Sequence, residues 1–174
     1  VRVTLHEYVK DVGNYFLADV TLDFDTPYRV SEIEQFARQD PRVTHVEGWA
    51  FSGADILYPN GSTADNVSIL APPAGSDLVE PLMVSGRWVE AGDEKKLAIS
   101  EGIFDLYPDL KVGDYLPLKV NGKEESWEVV GIFKFIGMEG ILGYAPYEYI
   151  SRDQNMANRS FSYRVVTKQH DRAY

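Results

Sequence analysis

Ser100 is the first residue whose surroundings suit chemistry. In Ala98-Ile99-Ser100-Glu101-Gly102 an apolar run leads to a serine and then to a helical segment. That is the order of a nucleophile elbow, with Ala98 in place of the first glycine. His170 lies downstream with Asp109, Asp114 and Asp153 between, so a serine, acid, histidine order can be assembled. A small serine hydrolase using Ser100 and His170 is therefore the enzymatic alternative. Such a fold needs strands alternating with helices around a parallel sheet, whereas residues 112 to 135 read as a β-hairpin, and no HGGG-type oxyanion segment is present. A serine that caps the helix after it accounts for the same residues, and the chain is expected not to be an enzyme.

The other chemistry-bearing residues disperse. His6, His45 and His170 stand in no short ligand spacing, so no metal site is expected. Asp19, Asp23 and Asp25 lack the glycine and distal glutamate of a calcium loop, and on a strand Asp19 and Asp23 point to solvent. Gly137, Gly140 and Gly143 are not followed by the Lys-Ser/Thr of a phosphate-binding loop, and they read as a pliable segment with no cofactor to hold. Asn60, Asn66 and Asn158 each begin an Asn-x-Ser sequon, which matters only in a secretory pathway.

Composition narrows the field further. The 174 residues carry 17 basic and 27 acidic side chains, a net charge of −10. Neither a nucleic-acid surface nor a polybasic lipid anchor can be built from that balance. With no cysteine, thiol catalysis, disulfides and cysteine-ligated zinc are excluded. The 44% apolar and 13% aromatic content belongs to a folded globular chain.

The elements that must position these residues follow from periodicity. Phe16, Ala18, Val20, Leu22 and Phe24 alternate with polar residues over 15–24, which predicts a half-buried strand. Ser31 and Glu34 form a capping-box pattern for a helix whose stripe is Ile33, Phe36 and Ala37, ended by Asp40-Pro41. Two extended runs, 43–51 and 54–58, then a turn at Pro59-Asn60-Gly61 and a strand over 66–71, complete an α+β opening. Beyond Leu82 the strands are short. Leu116, Leu118 and Val120 alternate up to Asn121-Gly122, the pair favoured in a type I′ hairpin turn, and Trp127, Val129, Gly131 and Phe133 alternate on the return strand. Pro117 puts the first of these strands at an edge or a bulge. Residues 144–150 and 161–167 read as two more extended runs.

Phe135, Ile136, Met138, Ile141 and Leu142 stand in the glycine-punctuated segment. Apolar side chains in a loop either return to the core or form a contact surface. Ile136, Met138, Ile141 and Leu142 are the candidate contacts for a partner or cargo.

A succession of short segments resembles the MacB-like periplasmic core domain of FtsX/MacB-family ABC transporter permeases. These are Gly86-Arg87-Trp88 with Asp93, Leu97-Ala98-Ile99-Ser100, Pro108 through Asp114, Trp127 through Ile132, Ala145 through Ile150, and Pro41-Arg42-Val43 leading to Val46-Glu47-Gly48-Trp49. The resemblance implies an α+β fold in which a porter-like subdomain, 12–75 with 143–174, carries an inserted β-rich, sabre-like subdomain, 76–142. It further implies membrane helices of the same permease before and after the chain, a cytoplasmic ATP-binding subunit or domain, a second permease subunit, and a place on the extracytoplasmic face of the cell membrane. The porter part is then expected to lack its closing helix and strand. Binding and transmission are implied and catalysis is not; Gly86, Gly113 and Gly131 would serve turns or close approach, and Trp88, Trp127 and Val129 the core. A free-standing extracellular binding module is the further alternative.

Overall fold

One strand belongs to two sheets. The structure, a computed structural model, describes residues 17–135 and 140–168. Its first elements are β1 (Val20–Arg29), α1 (Val30–Ala37) and the 15-residue β2 (Val43–Leu57). The first half of β2 pairs antiparallel with β9 (Arg159–Thr167), and β9 pairs with β1. The second half of β2 pairs with β3 (Thr63–Ala71) on one edge and with β6 (Tyr115–Val120) on the other. What reads in the sequence as two extended runs is thus a single strand, because Ser52 and Gly53 continue its pairing to β3 without a break.

The second sheet closes on itself. From β6 the pairing runs to β7 (Lys123–Lys134), β5 (Lys96–Ser100), β8 (Ile141–Tyr144), β3 and back to β2. The pairs β5/β7 and β3/β8 are parallel and the others antiparallel, and β4 (Leu82–Gly86) adds to the far half of β7. Closure removes sheet edges. Ile56, Ile69, Leu97, Ile99, Leu116, Leu118, Trp127 and Val129 fill the interior, all essentially without exposure. A second cluster, with Val79, Val89, Val130, Phe133 and Tyr144, lies outside this barrel, and Trp88 joins it edge-on to Phe133.

The hairpin is as the sequence predicts. Asn121 and Gly122 both have positive φ, 49° and 76°, as a type I′ turn requires. Pro117 pairs with Ser126, one position past the last residue of β6 that meets β2, so its missing N–H leaves no ladder bond unmade.

Four local expectations are corrected. The alternation on β7 breaks at Val130, an extra residue between the pairs Leu97–Val129 and Ala98–Gly131. Such a bulge switches the inward parity: Trp127, Val129 and Ile132 face the barrel while Val130 and Phe133 face outward. Residues 147–150 are not extended but open α2 (Tyr147–Asp153), with extended Pro146 before its first turn. The first strand is placed at 20–29 rather than 15–24, with 15 and 16 outside the described residues. Finally, α1 starts without a side-chain cap: β1 runs straight into it, Arg29 takes the N-cap position, Ser31 falls inside the first turn, and the Val30 N–H donates to the Asn158 carbonyl. Of its expected stripe, Ile33 and Ala37 pack on the sheet but Phe36 is 73% exposed.

Candidate functional site

Ser100 ends β5, ahead of a 3-10 turn at Glu101–Asp105, and is only 1% exposed. Its hydroxyl caps nothing in that turn; it accepts the Leu142 N–H at 3.0 Å and so ties β5 to β8. The cap reading is corrected, and the elbow geometry, which needs the hydroxyl presented to a substrate, is absent. His170 lies outside the described residues.

The four candidate contact residues do not form one surface among the described residues. Ile136 and Met138 lie outside them. Ile141 is 9% exposed inside the barrel cluster, and Leu142 is half-buried against the outer cluster. Pairing of Val67 to Ile141 and Ser68 to Leu142 makes a strand of what reads as loop. The Asp19 side chain accepts the Thr167 N–H at 2.7 Å, and no cluster of metal-ligating side chains occurs among the described residues.

A site that the sequence does not flag lies where β2 leaves one sheet for the other. On this stretch side chains alternate across the sheet, so Glu47 and Trp49 share a face with their cross-strand neighbours Arg164 and Ser162. Glu47 is buried and saturated: Oε1 meets His45 Nε2 at 2.8 Å, while Oε2 accepts Trp49 Nε1 at 3.0 Å and Ser76 Oγ at 2.6 Å. This fixes the Trp49 indole, and the Arg164 guanidinium lies over its ring at 5.2 Å. Arg164 Nη1 donates to Ser162 Oγ at 2.8 Å. Burial pulls the Arg164 pKa below its ordinary value, a shift that the nearby Asp23 charge opposes.

Trp49, Ser162 and Arg164 line one wall of a groove of about 530 Å³ between the antiparallel sheet and the barrel, with Glu47 behind them. Phe51, Leu70, Met156 and Phe161 supply apolar surface, and Asp23 and Arg159 supply charge. Phe51 and Phe161 are both exposed, so the groove is open to solvent and aromatic at its mouth. Only the apolar–polar alternation of Phe161, Tyr163 and Val165 with Ser162 and Arg164 signals the arrangement in sequence. A second apolar groove, on the opposite face, runs between α1 and the sheet past Leu22, Phe36 and Val43.

The motif residues around Arg87 build structure. Arg87 donates to both Asp93 oxygens, at 2.8 and 2.9 Å, and to the Trp88 carbonyl, while the Glu90 N–H donates to Asp93. Each partner holds the other charged: Asp93 is pulled below, and Arg87 pushed above, its ordinary pKa. Asp114 accepts the Lys111 N–H, closing the turn that seats Gly113 at a φ of 94°.

No family model matches this sequence, and no curated protein sequence does. Solved structures do match. The extracellular domain of the noncanonic ABC-type transporter YknZ from Gram-positive bacteria superposes with a TM-score of 0.63 at 15% identity, over 86% of this chain and 82% of that one. The periplasmic region of MacB from Actinobacillus actinomycetemcomitans gives 0.59 at 12% identity, over 88% and 75%. A domain from Porphyromonas gingivalis described as part of a permease gives 0.52 at 12%, over 79% and 62%. At these identities the likeness is one of fold, and on that ground the chain has the α+β fold of a MacB-like periplasmic domain.

Proposed function

We propose that this chain is the extracytoplasmic domain of an ABC transporter permease, meeting cargo or envelope partners outside the membrane and passing on conformational change driven by a separate cytoplasmic ATPase. The observation that carries the reading is the fold shared with the extracellular domain of YknZ and the periplasmic region of MacB. A 15-residue strand common to both sheets supports the transmitting role. At the usual rise it spans about 50 Å, so one unbroken run of backbone links the two sheets. In this reading the porter-like part is 12–75 with 143–174 and the inserted β-rich part 76–142, so the closed barrel is built jointly, with β2 and β3 from the first and β5, β6 and β7 from the second.

Partners in this reading are the permease's own membrane helices, a second permease subunit and the ATP-binding subunit. The test uses the absence of cysteine from this chain. In the full-length gene product, Phe36→Cys should become labelled by a membrane-impermeant maleimide in intact cells, beyond the level of the unsubstituted protein. The labelled product should sediment with membranes and co-purify with an ATP-binding protein. Recovery in the soluble fraction, or labelling only after lysis, would refute the proposal.

A further inference from the structure

Arg164 carries a charge that the fold does not neutralise by contact. The guanidinium is half-buried and stacked on Trp49, and one of its donors is used by Ser162 Oγ. Among the described residues no carboxylate lies within ion-pair distance of it. Glu47, its cross-strand neighbour, is turned to His45, Trp49 and Ser76. Asp23 acts on it only through its field. Arg159, on the same groove, likewise has no ion-pair partner among the described residues. A partly desolvated cation without an anion is costly. In a chain of net charge −10, acidic side chains to pair with it are not scarce.

We infer that the groove at the β2 crossover is a binding site for a small molecule with one anionic group on an apolar body. The anion is met by Arg164 and Arg159, whose planar forks suit carboxylate or phosphate oxygens. The apolar body lies against Phe51, Leu70 and Phe161, in a space of about 530 Å³, within the range of small-molecule pockets. Trp49, itself buried, is held beneath the arginine, because Glu47 fixes its N–H while its ring supports the guanidinium. Asp23 at the wall disfavours a more highly charged head group. The site is a property of this chain alone and stands or falls apart from the transporter assignment.

The test titrates decanoate, decanol and decyltrimethylammonium into the isotope-labelled chain, reading the Trp49 indole and Phe161 amide resonances. Saturable shifts with decanoate, at least tenfold weaker binding of decanol and none of the ammonium are expected. Arg164→Gln and Arg159→Gln should each weaken decanoate binding at least fivefold, and Asp23→Asn should strengthen it. Arg159→Gln, on the open rim, keeps the test available if Arg164→Gln fails to fold. A parallel titration with monomeric lysophosphatidylglycerol separates a free carboxylate from a lipid head group as the source. Arginine-dependent binding of either supports the site. Equal binding of decanol and decanoate, indifference to both arginine substitutions, or shifts confined to Leu22 and Val43 on the opposite groove would overturn it.

Discussion

Gly86 and Gly131 stand opposite each other where β4 meets β7, each pressed so close to the other's neighbours that neither position has room for a side chain. A β-carbon on Gly131 would lie 2.1 Å from the Arg87 carbonyl oxygen, and one on Gly86 would lie 2.3 Å from that of Val130. Both obstacles are backbone, which cannot swing aside. The close approach is also what lets Arg87 N–H reach the Val130 carbonyl and lock the bulge at Val130 in place.

Gly131→Ala is therefore expected to lose about 3 kcal/mol, the upper range of overpacking, read as a fall in the urea midpoint at unchanged slope. Gly53→Ala is the control: it sits in β2 at ordinary backbone angles with nothing within 4 Å of its β-carbon position. It should be neutral or slightly stabilising, since glycine in a strand costs conformational entropy. Equal losses in the two variants would contradict the packing account.

The Arg87–Asp93 pair predicts an acid limit. Asp93 is pulled below its ordinary value of 3.8, first by its hydrogen bond from Arg87, and Asp40 is held at about 2, chiefly by its hydrogen bonds with Arg42. Both carboxyls have lower pKa values folded than unfolded, so their contribution is fully present above the unfolded value and is lost as pH falls through it toward the folded one. Stability in urea should be flat from neutral pH to about 5 and decline below 4. Asp93→Asn should cost about 2 kcal/mol at pH 7 and flatten that decline, whereas a decline unchanged by the substitution would remove Asp93 from the account.

Ser100→Ala tests the remaining enzymatic reading. The Leu142 N–H loses the hydroxyl it donates to, at a position with 1% exposure, and an unsatisfied buried donor costs about 2 kcal/mol. A cap lost at a surface helix would cost about 1. No labelling of Ser100 by a serine-directed fluorophosphonate is expected, because the hydroxyl faces β8 and not a cleft. Labelling that disappears in Ser100→Ala would restore the hydrolase.

The strands that could be read from sequence are those with one buried face and a turn with its own chemistry. The hairpin on Asn121-Gly122 meets both conditions. The helix at 147–150 does not: Tyr147, Tyr149 and Ile150 favour strands by residue type, and only packing of Tyr147 and Ile150 on the barrel commits them to helix. Barrel closure is invisible for a different reason, since β5, β8 and the second half of β7, from Val129 to Phe133, are buried on two faces and their apolar runs carry no period. The groove was hidden because its parts lie 115 residues apart, at Trp49 and Arg164, and acquire a common face only through the register of β2 with β9.

Ile141 supplies the last prediction, because here the contact-surface reading and the core reading give opposite results. Its side chain belongs to the barrel cluster, and Gly143, two positions on, faces Leu97, Ile69 and Val67 at van der Waals distance. Ile141→Ala removes buried methyl groups and leaves a cavity that a closed barrel cannot collapse to fill. The expected loss is about 3 kcal/mol, with the thermal midpoint falling accordingly. Leu142→Ala, half-buried on the outer cluster, should lose less, about 1 kcal/mol. If Ile141 instead served a partner or cargo at the surface, its replacement would leave the midpoint within the scatter of surface substitutions, about 0.5 kcal/mol, and would show only in binding.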